Sequence, residues 1–159
     1  MTREELNFLP VSVNITDKKI LIIGGGKVAC HKAAVLNRFT GKATVISPEF
    51  HEGFESLPFE LVKKEYACED LDGAFLVYAC TENGQLNAQI KKDAECRGIL
   101  TSVCDDPVLC DFISPAIYKS GNVTVAVSSN ARDVSQSINI RNRIEVLVKN
   151  KKLIIETKE

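Results

Sequence analysis

The chain has 159 residues, of which 45% are hydrophobic and 26% are charged, and its formal net charge is -1. This composition is that of an ordinary globular protein, and the length fits one domain with at most a small addition. The near-neutral charge argues against nucleic acid and acidic membrane surfaces as partners. No apolar run approaches the ~20 residues of a membrane-spanning helix, and the acidic start does not resemble a signal peptide. We therefore expect a cytoplasmic protein.

In chain order, strand-like and helix-like segments alternate as far as Pro107. Strands are predicted at 19–23, 43–46, 59–62, 74–78 and 99–103, and helices at 29–39 and 86–97. Short connections between these elements indicate an α/β fold, a Rossmann-like, doubly wound parallel sheet covered on both faces. After Pro107 the pattern predicts a strand at 122–127, a helix at 133–149 and a terminal strand or packed tail at 153–155.

A glycine-rich turn opens the first predicted helix and fits the pattern G-x-G-x-x-A between an apolar strand and a helix. Gly24 would permit the tight turn, Gly26 would let the backbone approach a pyrophosphate, and Ala29 would let helix and strand pack closely. The helix N-terminus supplies N–H groups for the anion. The pattern predicts a dinucleotide-binding loop formed by Gly24, Gly25, Gly26, Lys27, Val28 and Ala29.

The next strand ends in Ser47-Pro48-Glu49, where a Rossmann fold usually carries an acid that binds the ribose hydroxyls. Ser47, with Pro48 beside it, or Glu49 would take that role, unless Ser47-Pro48 is only a turn. No arginine follows to hold a 2′-phosphate, so the sequence favours NAD over NADP as the cofactor.

The carboxyl ends of the later strands bring further polar residues to the same edge of the sheet. Thr81 is predicted to contact the cofactor there. Asp105 and Asp106 follow the last strand, and neighbouring side chains of an extended segment point opposite ways, so we expect only one to face the cleft. That carboxylate would act as a general base. The alternative is a turn built by Asp-Asp-Pro.

The six cysteines form no C-x-x-C pair and have no histidine at zinc-finger spacing. In a chain without a signal peptide, this pattern favours free, mostly buried thiols over a metal cluster. His31 is expected on a helix surface, and His51 lies in a glutamate-rich loop where metal binding is the less favoured interpretation. We predict no bound metal.

Several motifs taken together resemble the N-terminal domains of siroheme synthases. These are the precorrin-2 dehydrogenases, some of which are also sirohydrochlorin ferrochelatases. The resemblance is carried by Leu9-Pro10, Ile22 to Ala29 with Lys32, Val45 to Glu49, Ala79 to Asn83 with Leu86-Asn87, Ser102 to Asp105, Phe112 to Ala116 and Val125 to Ser129.

The resemblance implies that the chain oxidises precorrin-2 to sirohydrochlorin, with NAD⁺ as the hydride acceptor, in siroheme and porphyrin biosynthesis. By motif, Asp105 corresponds to the family's proposed general base, and Ser128 to a serine that lines the substrate cleft. The resemblance also divides the chain into an NAD-binding Rossmann domain at 1–112 and a dimerisation region at 113–159. A homodimer is therefore expected.

The chain departs from the family pattern at two motifs. Ser102 replaces the usual Asn, and Asn130 to Ser135 replace a Gly-Gly and Ser-Pro segment. The family's C-terminal helical domain has no counterpart before Glu159. Two alternatives stay open beside an NAD-dependent dehydrogenase: a bifunctional enzyme that also inserts iron, and a non-catalytic NAD-binding sensor. The missing acid after the second strand counts against the sensor.

Overall fold

A computed structural model of the protein describes residues 5–155. These residues form two compact units, one comprising Ser12–Phe112 and the other comprising residues 5–11 with 113–155. Within this described part, no helix combines the length and the apolar character that crossing a membrane requires.

The centre of the unit Ser12–Phe112 is a parallel sheet in the strand order β3-β2-β1-β4-β5. Its strands are β1 (Lys19–Ile23), β2 (Thr44–Ser47), β3 (Glu60–Lys63), β4 (Ala74–Ala79) and β5 (Leu100–Val103). Helix α1 (Lys27–Leu36) joins β1 to β2, and helix α2 (Gly84–Glu95) joins β4 to β5. The chain leaves β1 towards one edge and β4 towards the other, so the topological switch point lies between their carboxyl ends.

Both faces of the sheet are covered, because the strands are apolar on both sides. Ile20 and Ile22 of β1 pack on the side of α1, whereas Leu21 and Ile23 pack on the side of α2. All four side chains are at most 1% exposed. Burial on both faces explains why β1 is a continuous apolar run without alternation. The predicted doubly wound fold is confirmed.

Two crossovers are built from 3₁₀ helices that the sequence pattern did not predict. Glu52–Ser56 lies between β2 and β3, and Cys68–Leu71 lies between β3 and β4. Phe54 and Leu71 from these short helices are buried and fill the two sides of the core. Segments of four or five residues are too short for an apolar period to show.

The predicted helices are found with shifted ends. The helix predicted at 29–39 begins at Lys27 and ends at Leu36, directly after the glycine turn. The helix predicted at 86–97 begins at Gly84, because the Asn83 side chain accepts hydrogen bonds from the N–H groups of Gln85 and Leu86.

The other unit contains the antiparallel hairpin of β6 (Ala116–Ser120) and β7 (Val123–Val127), followed by helix α3 (Val134–Lys149). The predictions of β7 and α3 are confirmed, whereas β6 was not predicted. No strand forms at 153–155, where the Leu153 N–H donates to the Leu147 carbonyl at 3.1 Å. Residues 5–11 belong to this unit, in which the Asn130 side chain bonds the backbone of Leu6 and Phe8.

The carboxylate of Asp111 anchors the edge strand β5. It accepts a hydrogen bond from the Thr101 N–H at 2.9 Å and forms an ion pair with Lys91 Nζ at 2.6 Å. We expect Asp111→Ala to lower the free energy of unfolding by about 1–3 kcal/mol, because it leaves the N–H of a buried residue unpaired.

Urea denaturation measures this loss. The control is Lys42→Ala, which removes an exposed ion pair with Asp17 of 3.4 Å and should cost less than about 1 kcal/mol. Equal losses in the two variants would contradict the anchoring role of Asp111.

Candidate nucleotide-binding site

Two glycines of the turn after β1 are required by the protein's own packing. Gly24 has a φ of +122°, and a Cβ atom there would collide with the carbonyl oxygen of Cys80. A Cβ atom on Gly25 would collide with the carbonyl oxygen of Glu49. The turn is therefore packed, backbone against backbone, onto the loops that follow β2 and β4.

Gly26 lies in different surroundings, because no close contact of the protein forbids a side chain there. The nearest atom to a Cβ built on Gly26 is Glu82 Oε1, at 3.8 Å. Gly26 is also the N-cap of α1, and no side chain caps this end of the helix. The backbone N–H groups of Lys27 and Val28 begin the helix here, and fully buried Ala29 packs against the sheet. An open glycine at an uncapped helix N-terminus suits an anionic group such as a pyrophosphate.

The segment after β2 lies beside the glycine turn. Ser47 is only 8% exposed, and its Oγ atom would lie 2.7 Å from a Cβ on Gly25, so its side chain sits beneath the turn. Pro48 and Glu49 are exposed at the same edge. Glu49 is thus the accessible carboxylate at the end of β2, while Ser47 supports the turn.

The two histidines, His31 and His51, lie in different surroundings, and His51 is held by backbone hydrogen bonds. His51 Nδ1 accepts a hydrogen bond from the Gly53 N–H at 3.1 Å, and the backbone N–H of His51 donates to the Gly25 carbonyl at 2.7 Å. His31 is exposed on α1. Over residues 5–155, no three or more His, Cys, Asp or Glu side chains gather into a group that could hold a metal ion.

The loop after β4 is held by the buried amide of Asn87, which is not among the predicted site residues. Asn87 Oδ1 accepts hydrogen bonds from the Thr81 N–H at 3.0 Å and from the Thr81 hydroxyl at 2.7 Å. Its Nδ2 donates to the Thr81 carbonyl at 3.0 Å. Asn87 shares the buried face of α2 with Ile90 and Ala94. An amide at helical spacing on an apolar face was the signal that would have identified it.

Thr81 and the two aspartates after β5 border one open cleft of about 270 Å³. The aspartates differ in role. Asp106 Oδ1 accepts a hydrogen bond from the Val108 N–H at 3.2 Å and so caps the short 3₁₀ helix Pro107–Leu109. Asp105 is exposed and has a φ of 71°, in the left-handed region. The Asp-Asp-Pro turn therefore exists, but Asp106 forms its cap and Asp105 remains the candidate base.

A half-buried amino group on α1, that of Lys32, lies near Cys110 and Asp105. Burial lowers the pKa of Lys32, and the charges of Cys110 and Asp105 partly counter this effect. Burial in turn raises the pKa of the Cys110 thiol, which accepts a hydrogen bond from the Val103 N–H at 3.1 Å. Lys32 therefore lies close enough to both Cys110 and Asp105 for their charges to act on its amino group.

Ser128 belongs to the other unit, where it is exposed at the end of β7. Its hydroxyl oxygen accepts a hydrogen bond from the Asn130 N–H at 3.4 Å. Its predicted place in a substrate cleft stays a prediction.

The prediction of free thiols was wrong for two cysteines. Cys80 and Cys104 form a disulfide, with Cα atoms 5.0 Å apart, whereas Cys30, Cys68, Cys96 and Cys110 are free. Each bridged residue directly follows its strand, and Ala79 of β4 is in register with Val103 of β5. The pairing arises from this register across 24 residues of sequence, which the spacing of cysteines along the chain does not reveal.

The fold and the glycine turn define a nucleotide-binding protein of the Rossmann type. Residues 11–116 match the family described as "Putative NAD(P)-binding", and the chain belongs to that family.

The more particular resemblance to siroheme synthases is also confirmed. The chain is 35% identical over 147 residues to the siroheme synthase of Photorhabdus laumondii and 34% identical over 144 residues to that of Methylobacillus flagellatus. These matches cover 90% and 88% of this chain but 31% of each relative, so the chain spans about a third of their length. A solved structure described as "SirC, precorrin-2 dehydrogenase" shares the fold, with a TM-score of 0.76 at 17% identity over 87% of this chain and 70% of that one.

The different surroundings of the glycines give a test of nucleotide binding. We expect Gly26→Ala to fold normally but to bind NAD⁺ at least about ten-fold more weakly, because the methyl group would occupy the space that the pyrophosphate needs. Isothermal titration calorimetry measures the affinity, and thermal unfolding checks the fold.

Gly41→Ala is the matched control, because a Cβ there also has its nearest contact at 3.8 Å but lies before the amino end of β2. Unchanged NAD⁺ affinity in Gly26→Ala would show that the turn does not hold the cofactor's pyrophosphate.

Proposed function

We propose that this chain binds NAD and oxidises precorrin-2 to sirohydrochlorin in siroheme biosynthesis, in the cytoplasm. One observation carries the proposal: the cleft bordered by the exposed carboxylate of Asp105 is lined by the same loop, at Thr81 and Glu82, that packs on the glycine turn. The siroheme synthase relatives and the fold shared with a precorrin-2 dehydrogenase support this choice of substrate.

The residues present fit a dinucleotide. Gly26 and the first N–H groups of α1 would bind its pyrophosphate, and Glu49 or Ser47 would approach the adenosine ribose. When bound, NAD⁺ supplies the ring that accepts a hydride. Thr81, held by Asn87, would border the nicotinamide end. We propose NAD over NADP because the accessible side chain after β2 is the acidic Glu49, which would repel a 2′-phosphate.

Asp105 would accept the proton that the substrate loses as its hydride leaves. A carboxylate is ionised at neutral pH, so it acts as a base without further activation. Asp106 is held by its cap on the following helix and has no part in the proposed proton transfer.

The other unit would supply the dimer contact and Ser128 would line the substrate site. Helix α3 exposes apolar side chains, among them Val134 at 66% and Val146 at 54%. Exposed apolar groups of this kind are typical of protein interfaces. A monomeric mass in light scattering would contradict the proposed homodimer.

Replacing each aspartate by its isosteric amide separates their roles. We expect Asp105→Asn to lower the rate of NADH formation from precorrin-2 by at least about 100-fold, because the amide is no base, while NAD⁺ affinity stays unchanged. Asn also tolerates the left-handed backbone at this position. Absorbance of NADH and sirohydrochlorin measures the rate.

Asp106→Asn is the control, since asparagine also caps helices and should preserve both the fold and the rate. Full activity in Asp105→Asn would remove this residue from the mechanism.

The same assay separates the proposed function from its two alternatives. Precorrin-2, NAD⁺ and the protein alone should yield sirohydrochlorin. Protein-dependent formation of siroheme from sirohydrochlorin and Fe²⁺ in the absence of NAD⁺ would add iron insertion. Binding of NAD⁺ without any turnover would contradict the enzyme and favour a sensor.

A further inference from the structure

We propose that Cys80 and Cys104 are a reversible redox modification site, a dithiol that a disulfide oxidant closes to a bridge, and that the bridge strengthens nucleotide binding. The coupling rests on the nucleotide binding proposed above, whereas the formation of the bridge does not.

The parallel register of β4 and β5 brings the two cysteines together. The Cys104 N–H donates to the Ala79 carbonyl at 2.9 Å, so both cysteines lie at the same level at the carboxyl ends of their strands. Their Cα separation of 5.0 Å lies in the range that a disulfide spans without backbone movement. The pair is therefore preorganised by the sheet itself.

The two thiols differ in their exposure to solvent, and this difference sets the order in which they react with a disulfide oxidant. Cys80 is 5% exposed, whereas Cys104 is half-buried and borders the cleft. The Cys104 thiolate would attack a disulfide such as oxidised glutathione, forming a mixed disulfide and releasing one glutathione. Cys80 would then attack the Cys104 sulfur and release the second glutathione. Two cysteine thiols are oxidised, one glutathione disulfide is reduced, and the two thiol protons pass to the released glutathiones.

The pair adjoins both halves of the proposed site. The Cys80 carbonyl packs on Gly24 of the glycine turn, and Cys104 directly precedes Asp105. Bonded sulfurs lie about 2 Å apart, whereas non-bonded heavy atoms need roughly 3.5–4 Å. Opening the bridge therefore lets the two sulfurs move apart and removes the covalent link between the starts of the two loops. Displacements of about 1 Å near a site have large effects on its function.

In the cytoplasm proposed above, disulfides are usually transient and redox-sensing, which fits a bridge whose Cys104 borders a cleft. The bridge would hold the Cys80 carbonyl against Gly24 and keep the nucleotide turn ordered. By linkage, bound NAD⁺ would favour the bridge by the same factor by which the bridge favours NAD⁺.

The test equilibrates the full chain in glutathione buffers of increasing oxidised fraction, quenches the thiols with an alkylating agent, and counts them by mass. We expect six thiols in the reduced protein and four in the oxidised protein, with one cross-linked peptide containing Cys80 and Cys104. Failure to form any bridge, or a bridge from Cys104 to Cys110, would overturn the proposal. This readout requires neither nucleotide nor substrate.

Calorimetry with NAD⁺ on the two forms then tests the coupling. We expect the bridged form to bind NAD⁺ at least about three-fold more tightly, and saturating NAD⁺ to shift the midpoint of bridge formation by the same factor. Cys104→Ser should bind NAD⁺ equally in both buffers. Cys96→Ser, which removes an exposed thiol after α2, should behave like the unaltered chain.

Equal affinities of the two forms, or tighter binding by the reduced form, would overturn the coupling. If the bridge forms and strengthens NAD⁺ binding but the protein does not oxidise precorrin-2, only the proposed function is contradicted. Absence of NAD⁺ binding in both forms would overturn the coupling and the proposed cofactor, while the mass measurement decides the bridge by itself.

Discussion

Close contact between backbones at the carboxyl end of β1 is the constraint on which the rest of this structure depends. The Gly24 N–H donates to the Ile46 carbonyl at 2.9 Å, and the Gly25 carbonyl accepts from the His51 N–H at 2.7 Å. On the other side, Gly24 lies directly against the carbonyl of Cys80. Three loops therefore meet with no room for a side chain. This contact closes the switch point of the sheet and leaves the uncapped start of α1 exposed to a ligand.

Residues whose role depends on local sequence were predictable. The apolar run of β1, the three glycines and the helix after them form a pattern whose physical reasons are all within about ten neighbouring positions. The sequence signal for Asn87 was an amide at helical spacing on the apolar face of α2, which does not show that Thr81 is its partner. The Cys80–Cys104 pair depends on a contact between separate strands, which no spacing along the chain reveals. Strand β6 was not predicted because Ala116–Ser120 is half-buried throughout and shows no alternation of buried and exposed residues.

The two aspartates after β5 are neighbours in one short motif but differ in their surroundings. The turn and the base were competing interpretations of the same Asp-Asp-Pro segment. In the structure Asp106 caps the following helix, whereas Asp105 takes a left-handed backbone at the cleft, so only Asp105 keeps the proposed role of base. A resemblance between sequences pointed to Asp105, but the hydrogen bond of Asp106 supplies the physical reason for separating them. Sequence alone could not divide the roles, since both residues favour turns.

The register of β4 against β5 links the features of the site that lie furthest apart in sequence. Pairing of Ala79 with Val103 fixes where both strands end, and the next residues along each strand are the two cysteines. Thr81 and Asp105 follow immediately, so the same register sets the width of the cleft that they border. A shift by one residue would turn every side chain of β5 to the other face of the sheet. Burial on both faces forbids such a shift, and the packing of the core thereby positions a candidate base beside a candidate cofactor site.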